Sequence, residues 1–455
     1  MARLKARRLH LLLALLAAAF AVAVAGCGGG GDETTTPAEE PAATEMAPAE
    51  EPADTGGAAE TTGGEAPSGE PIMIGISAAQ TGILAPYDLQ PGQLFQLRIK
   101  QINDSGGVLG RPITTEWIDT KTDQSLAATN AEELISKGAV AIITTCDFDF
   151  SFPATNAAGA LNVPALSLCA SSPKAATPEI VGPLAGTMGL GSDAEGTAMA
   201  DWLKANKPEI ESVYIFRDES LEYSKATADY FKAKWEELGG TVCGEDTFVG
   251  GPDLDLSSQV TRLRGAVGNC DAIYDGSWQP YGSQLIRAIR DAGIETPIVT
   301  NASVNGTLTT EVAGKVSNFW ALGFACLPTY CEGTQSQSVV DIAAAFEAEY
   351  GEPIGSHFAL PGWTLADALV AAIEQAGSTD GPAIAEALFG GGVQIDFYGS
   401  PMAFTEVCHR PQPAAFSVEE WQNGVNTQIG TATVSSIPDI GDGNPCAGTP
   451  PPAGG

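Results

Sequence analysis

The sequence predicts an α/β protein with two Rossmann-like lobes, each built on a parallel sheet covered by helices. Strand-like and helix-like stretches alternate along the chain, which is the pattern of parallel sheets with helices on both faces. The alternation begins again after Gly191, with a similar layout but different residues. About 385 residues follow the polar N-terminal region, which is too many for one hydrophobic core. We therefore expect a first lobe in residues 71–190 and a second lobe in residues 191–324.

A βαβ unit opens the first lobe. Residues 72–77 are predicted to form a strand, and residues 93–102 carry apolar side chains near helical spacing. Gly106 and Gly107 can adopt the positive φ that ends many helices. Residues 113–118 then have the composition of a second strand. The order strand, helix, strand is that of a βαβ unit.

The first 27 residues are predicted to be an export signal that is not part of the fold. Four basic residues precede an apolar run from Leu11 to Val24, which has the length of a signal peptide. Small residues then precede Cys27, as in a bacterial lipoprotein cleavage site. Lipidation of Cys27 would hold the mature protein on the extracytoplasmic face of the cell membrane. Ordinary secretion, with cleavage after an alanine, is the alternative.

Residues 28–70 are predicted to be a disordered acidic tether. They contain eleven acidic residues, no lysine or arginine, and too few large apolar groups to fold. The formal net charge of the chain is −34, and the remainder stays strongly acidic without the tether. This charge argues against a nucleic-acid partner. By itself it indicates a soluble surface and gives no reason to expect a cationic ligand.

Eight cysteines remain if Cys27 is lipidated, and an even number in an exported chain predicts disulfides. Their spacing matches no zinc-binding pattern, so no metal or cofactor is expected. Pairing in order along the chain is the simplest hypothesis. It gives Cys146–Cys169, Cys243–Cys270, Cys326–Cys331 and Cys408–Cys446.

Catalytic chemistry has little support in the sequence, and we expect no enzyme activity. Of the three histidines, His10 lies in the predicted signal, and His357 is expected to be exposed or to cap a helix. A Ser-His-Asp arrangement has no supporting pattern. The carboxylates of Asp147 and Asp149 could in principle perform acid–base chemistry. The chain contains no P-loop, GxGxxG or HExxH motif.

Several phrases of the chain resemble the leucine/isoleucine/valine-binding protein family, the type I solute-binding proteins of ABC importers. The phrase INDSGGVLGRPI at residues 102–113 follows a Thr-Gly loop by the family's usual distance. The phrases WTLADAL, FTEVCHRP and VEEWQNG resemble the family's late helix and C-terminal strands. The resemblance covers nearly all of residues 71–433.

This resemblance implies two lobes joined by three crossovers, with the ligand in the cleft between them. We expect residues 325–376 to return to the first lobe and residues 377–433 to the second, leaving residues 434–455 as a C-terminal tail. The implied function is that of a monomeric, membrane-tethered protein that captures a small polar solute and delivers it to permease subunits. A ligand-sensing module of the same fold, without transport, is the alternative.

Ligands of open α/β sheets bind beyond the carboxyl ends of the strands. The resemblance places ligand-binding residues in the loops there, including the predicted loop from Tyr87 to Gly92. These residues are Tyr87, Asp147, Phe148, Ala170, Ser171, Tyr223, Trp278 and Asn301. Each also has a structural interpretation: the aromatic residues could be packing residues, Asp147 could lie on the surface, Ser171 could cap a turn, and Asp149 or Ser151 could cap a helix.

The resemblance also gives an expectation about ligand charge. Asp147 and Phe148 fall where the family has a serine that binds the ligand carboxylate. The family's acidic partner for a ligand ammonium falls near residues 301–303, where this sequence has no carboxylate. Either Asp147 or Asp149 supplies the anion, or the ligand carries no ammonium. We favour a ligand other than a plain branched-chain amino acid, such as an amide or an aromatic compound.

Overall fold

The computed structural model describes residues 67–448, except for 308, 310, 311, 313, 315 and 399, and these residues form two α/β lobes. The predicted signal, Cys27, nearly all of the predicted tether and residues 449–455 lie outside the described residues. Among the helices of the described part, none is long and apolar enough to cross a membrane.

The first lobe contains a parallel sheet of five strands. The strands are β1 (Ile72–Ala78), β2 (Ile113–Asp119), β3 (Ala139–Thr144), β4 (Ala165–Ser167) and β5 (Ala185–Thr187). Their order in the sheet is β2-β1-β3-β4-β5. The helices that connect them are α1 (Ala85–Asp104), α2 (Gln124–Ser136), α3 (Phe148–Ala160) and α4 (Pro178–Val181). Ile72, Ile74 and Ile76 of β1 are fully buried, so this strand lies in the core between the helix layers.

The second lobe begins with α5 (Ser192–Asn206) and is also a strand–helix alternation. Its first strands are β6 (Ser212–Asp218), β7 (Thr241–Phe248), β8 (Ala272–Gly276), β9 (Ile298–Thr300) and β10 (Phe319–Gly323). The helices between them are α6 (Glu222–Glu237), α7 (Ser257–Ala266) and α8 (Tyr281–Asp291). These five strands are parallel, as the alternating pattern predicts.

Two later helices pack back on the first lobe. They are α9 (Gln337–Tyr350) and α10 (Leu360–Ala376), and both contact α1. The approach of α10 to α1 is so close that a Cβ atom at Gly362 would lie 1.9 Å from the carbonyl oxygen of Pro91. Only glycine fits this crossing. The Tyr350 hydroxyl fixes α9 by donating to the Gln93 carbonyl at 3.0 Å.

The segment 377–433, expected with the second lobe, is divided between the two lobes. Helix α11 (Gly381–Phe389) packs against α10, and Phe389 stacks on His409 with ring centroids 3.8 Å apart. His409 in turn contacts the Ala185 carbonyl through Nδ1 at 2.7 Å, and its own carbonyl accepts from the amide of Thr187. These contacts satisfy backbone groups of the edge strand β5, which explains why the segment up to residue 409 stays on the first lobe.

After α11, a hairpin of β11 (Ile395–Phe397) and β12 (Ser400–Met402) precedes the last pair of strands. These are β13 (Ala415–Gln422) and β14 (Val425–Thr433). They extend the second sheet, where β13 is antiparallel to β10 and β14 is antiparallel to β13. The resulting order is β14-β13-β10-β9-β8-β6-β7.

The structure contains the four disulfides that pairing in order predicts. Cys146 and Cys169 each stand two residues beyond the end of a strand, β3 and β4, and these strands are neighbours. Their Cα atoms are 4.3 Å apart. The Cys408–Cys446 disulfide joins the segment beside β5 to the C-terminal tail, and both sulfurs pack with Ala176.

A buried ion pair lies where two of the three crossovers run side by side. The chain crosses between the lobes at residues 188–191, 324–336 and 410–414. The guanidinium of Arg410 contacts the Asp193 carboxylate at 2.8 and 3.0 Å, and both side chains are fully buried. Arg410 also donates to the Leu190 carbonyl. Asn444 of the tail donates to the same carboxylate at 2.7 Å, so the tail completes the hinge.

We predict that Arg410→Met lowers the free energy of unfolding by about 3–5 kcal/mol, because it leaves Asp193 buried without its cation. The matched control is Lys100→Met, which removes an exposed ion pair with Glu349 of the same 2.7–2.8 Å length. We expect that control to lose less than about 1 kcal/mol. Urea denaturation of both variants measures the difference. Equal losses of unfolding free energy in the two variants would show that the buried hinge pair stabilises the protein no more than an exposed ion pair does.

Candidate ligand-binding cleft

A small buried cavity lies between the two lobes, and we call it the inner cavity. Its volume is about 30 Å³. The side chains that line it follow the carboxyl ends of β1, β3 and β4 in the first lobe and β6, β8 and β9 in the second, with Phe358 from the turn before α10. They are Leu84, Tyr87, Cys146, Asp147, Cys169, Ser171, Tyr223, Trp278, Ser303 and Phe358. This is the location that an open α/β sheet offers to a ligand.

Five of the eight residues proposed from the sequence line the inner cavity. They are Tyr87, Asp147, Ser171, Tyr223 and Trp278. All five are buried, so none of them is a surface residue. Their meeting from two lobes is a property of the fold that the residues themselves could not reveal.

The other three proposed residues are outside the lining and support the wall from behind. Phe148 packs on Phe152 with ring centroids 5.3 Å apart. The carbonyl of Ala170 accepts from the Thr187 hydroxyl at 2.8 Å. Asn301 accepts from the amide of Ser303 at 2.9 Å and thereby shapes the loop after β9.

Tyr87 bridges the lobes. The predicted loop from Tyr87 to Gly92 is in fact the start of α1, which begins at Ala85 because Pro86 suits the first turn of a helix. The Tyr87 hydroxyl accepts from the amide of Gln279 at 3.0 Å and lies 3.0 Å from the Ser303 hydroxyl. Burial raises the pKa of Tyr87 well above its usual value, so the hydroxyl stays protonated.

Asp147 performs two tasks at once. Its carboxylate caps α3 by accepting from the amide of Phe150 at 3.2 Å, where the sequence had suggested Asp149 or Ser151 as the cap. It also lines the inner cavity and is only 4% exposed. Burial raises the pKa of Asp147 well above its usual value, and the neighbouring charge of Asp149 raises it further.

Glu195 is a member of this site that the sequence did not indicate. It lies in the first turn of α5 and is fully buried. Its Oε2 atom accepts from the Tyr223 hydroxyl at 2.6 Å and from the amide of Ala302 at 3.1 Å. Burial raises the pKa of Glu195 to about 7. A carboxyl group therefore does reach residues 301–303, but it comes from a helix more than a hundred residues earlier.

The sequence contains no signal that separates Glu195 from an ordinary helix start, because acidic residues are common in the first turn of any helix. The same applies to Phe358, which follows no motif, whereas Ser303 lies two residues after the predicted Asn301. Their place in the cavity wall depends on how the lobes meet.

Three further contacts cross between the lobes at the rim of the cleft. Asp149 accepts from the amide of Glu222 at 2.9 Å, and Lys174 pairs with the Glu222 carboxylate at 2.7 Å. His357 contacts the Ala302 carbonyl through Nε2 at 3.2 Å. The expectation of an exposed or capping His357 is wrong, because its side chain is fully buried under the cavity wall. Burial lowers the pKa of His357 to about 3, so the ring is neutral.

A larger chamber of about 420 Å³ lies beyond the inner cavity. Tyr87 and Ser303 line both spaces, so the contact between their hydroxyls forms part of the partition. The wall of the outer chamber is mostly apolar and includes the polar side chains of Gln90, Asn305 and Thr307. Within the described part of the chain, no cluster of histidine, cysteine or acidic residues has the arrangement of a metal site. The cleft therefore has the location and the lining of a small-molecule binding site.

Comparison with known proteins gives concordant results. Residues 71–424 match the family model described as periplasmic binding protein. The Leu/Ile/Val-binding protein homolog 3 of Brucella melitensis is 23% identical over 78% of this chain and 92% of its own length. The Leu/Ile/Val-binding protein BraC3 of Rhizobium johnstonii is 26% identical over 70% of this chain and 83% of its own.

Solved structures share the fold. The branched-chain amino acid binding protein LivJ of Streptococcus pneumoniae, in complex with isoleucine, superposes with a TM-score of 0.69 at 21% identity. The superposition covers 80% of this chain and 99% of that one. A solute-binding protein of R. palustris, in complex with benzoate, gives 0.67 at 16% identity, over 83% and 99% of the two chains. With its two-lobed α/β fold and interlobe cleft, the chain belongs to the periplasmic binding protein family.

Proposed function

We propose that this chain is a membrane-tethered solute receptor that captures a small polar solute in the inner cavity and delivers it to the permease subunits of an ABC importer. The observation that carries the proposal is the Tyr87 hydroxyl, a group of the first lobe held by Gln279 and Ser303 of the second. Such a contact forms only when the lobes are closed. Rigid-body closure around a ligand is the usual working motion of two lobes joined by hinges.

The range of solutes named for similar proteins supports a small polar or aromatic ligand. The relatives from Brucella and Rhizobium are named for leucine, isoleucine and valine. One structural neighbour holds isoleucine and another holds benzoate. The inner cavity combines the buried carboxyl group of Asp147 with aromatic walls. The resembled family has at this position a serine that binds the ligand carboxylate. The proposed function therefore covers small polar solutes in general, among them amino acids, amides and related compounds.

Tethering rests on the N-terminal sequence. Cys27 would carry the lipid, and residues 28–70 would form the leash that lets the folded lobes reach the permease. The protein works as a monomer on the extracytoplasmic face, since one cleft formed by one chain is sufficient for capture.

The first test concerns closure. We expect Tyr87→Phe to open the cleft, because the amide of Gln279 and the hydroxyl of Ser303 lose their shared partner. Small-angle X-ray scattering of ligand-free protein should give a larger radius of gyration for Tyr87→Phe than for the wild type. Tyr350→Phe is the control, because it removes a tyrosine hydroxyl bond of 3.0 Å outside the cleft. Identical scattering from all three proteins would contradict the role of Tyr87.

The second test concerns the anchor. We expect Cys27→Ser to move the protein from the membrane fraction to the soluble extracytoplasmic fraction, because no acyl chain can be attached. Cell fractionation followed by immunoblotting measures the shift, and intact mass of the wild-type protein should show the added lipid. Retention of Cys27→Ser in the membrane fraction would mean that another feature holds the protein there.

A further inference from the structure

The polar groups of the inner cavity favour positive charge. Among the ten described residues that line it, Asp147 is the only acid, and none is lysine, arginine or histidine. At the rim, the basic side chains of Lys174 and Lys225 both form ion pairs with Glu222. Arg410 is bound to Asp193 at the hinge. A ligand anion would therefore meet no cationic partner in this space.

A second layer of carboxyl groups surrounds the cavity. Asp88 is fully buried behind it and accepts from the amides of Ala79 and Cys146, both at 2.7 Å. Asp149 lies at the rim, and Glu195 lies behind Tyr223. Burial raises the pKa of Asp88 and of Glu195 to about 7, so these two groups carry their full negative charge only above neutral pH. A low-dielectric cleft surrounded by groups of one sign concentrates ions of the opposite sign.

The position that would receive a ligand carboxylate is already occupied. The free amides at the start of α3 are the natural anion-binding site of the first lobe. Here the Asp147 carboxylate itself caps those amides, with the amide of Phe150 at 3.2 Å. A ligand carboxylate would have to displace a protein carboxylate and remain beside it. This arrangement disfavours a zwitterionic amino acid.

Aromatic rings complete the cavity wall. Tyr87, Tyr223, Trp278 and Phe358 all line the space. The Tyr87 ring lies 6.2 Å from that of Trp278 and 5.5 Å from that of Phe358, measured between centroids. The faces of such rings attract organic cations, and a cage of aromatic groups is the known solution for binding alkylated ammonium groups.

We propose that the inner cavity takes a small organic ammonium compound that lacks a carboxylate, held by Asp147 and the four aromatic rings. This inference rests on the proposed function and specifies its ligand class. The present cavity has room for about two water molecules. The solute therefore enters when the lobes separate, and it takes the place of the Tyr87–Ser303 partition as they close.

The test is calorimetry with two matched series of compounds, each consisting of an amine, the corresponding amino acid and the corresponding carboxylic acid. The probes are 3-methylbutylamine, leucine and 4-methylpentanoate, followed by 2-phenylethylamine, phenylalanine and 3-phenylpropanoate. We expect at least one amine to bind, at least about tenfold more tightly than its amino acid, because only the amino acid brings a carboxylate next to Asp147. The acids should not bind. Failure of both amines to bind, or leucine binding as tightly as 3-methylbutylamine, would overturn the inference.

Asp147→Asn provides the decisive variant, because asparagine keeps the cap of α3. We expect it to weaken amine binding by about a hundredfold or more, the effect typical of removing one partner of a buried charged pair. The control is Asp380→Asn, which alters an exposed cap of α11, where Asp380 accepts from the amide of Ala383. Amine binding that survives Asp147→Asn unchanged would refute the assignment.

Affinity for the amine should also rise as the pH is increased above the ordinary range of carboxyl groups. The carboxyl of Asp147 has a raised pKa and must be ionised to hold an ammonium, so acidification removes the charge on which binding depends. The charged and titratable groups around it are Asp149, Asp88 and Tyr87, with Lys174 and Lys225 at the rim beside Asp149. Asp147→Asn should flatten this dependence. A pH-independent affinity in the wild type would count against Asp147 as the partner.

Mass spectrometry of the solute released from purified protein separates this inference from the proposed function. A released amine would support both. A released amino acid or carboxylic acid would overturn the charge inference and leave the function as a solute receptor intact. Loss of the Tyr87-dependent closure would instead remove the support for the receptor function itself.

Discussion

The ion pair between Arg410 and Asp193 is the contact on which the two-lobe arrangement depends. Asp193 stands in the first turn of α5, where the chain has just entered the second lobe, and Arg410 stands where the chain leaves the first lobe for the last time. Both side chains are fully buried. Because separating such a pair leaves two uncompensated charges, the two crossovers must stay together throughout any motion of the lobes. The amide of Thr187 and the carbonyl of His409 reinforce this by joining the same two segments.

A fixed hinge leaves the opposite side of the cleft free to move, and the contacts there are of a different kind. Tyr87, Asp149 and His357 each make one to three hydrogen bonds across the cleft, and all of these bonds can be replaced by water or by a solute. Individually such contacts are worth little, since folding or closing only exchanges hydrogen bonds with water. The lobes therefore stay joined at the hinge, whereas the hydrogen bonds on the opposite side of the cleft break at a small cost in free energy.

Much of the fold follows from the sequence, because strand and helix periodicity are local properties. The alternating strands, the parallel part of each sheet and the order of the cysteine pairs are all readable along the chain, whereas the antiparallel addition of β13 and β14 is not. The start of α1 is also less readable. Proline at positions 86 and 91 suggests a loop, yet Pro86 occupies a first turn and Pro91 is tolerated inside α1. Helix α11 lies on the first lobe because the segment after it satisfies backbone groups of the edge strand β5. No local sequence pattern indicates this contact.

The residues of the candidate site also fall into two groups, those that the sequence indicates and those that only the structure shows. Tyr87, Asp147, Ser171, Tyr223 and Trp278 line the inner cavity, and the family resemblance was enough to nominate them from the sequence. Glu195, Ser303 and His357 depend on contacts between segments that are 55 to 216 residues apart. The burial that raises the pKa of Glu195 and lowers that of His357 exists only after both lobes are assembled. Sequence can suggest which residues lie at the cleft, whereas their ionisation belongs to the assembled structure.

The tail that completes the hinge has a consequence for the order in which the protein matures. Residues 434–448 follow every strand of both sheets in the chain, and they include Asn444 and Cys446. During export from the N-terminus, the Cys408–Cys446 disulfide can form only after Cys446 has emerged, and by then all the strands have emerged as well. Asp193 obtains its last hydrogen-bond donor at the same late moment. A chain halted before this segment would contain the strands of both sheets but an unfinished hinge, because Asp193 would lack the Asn444 donor and Cys408 would lack its disulfide partner.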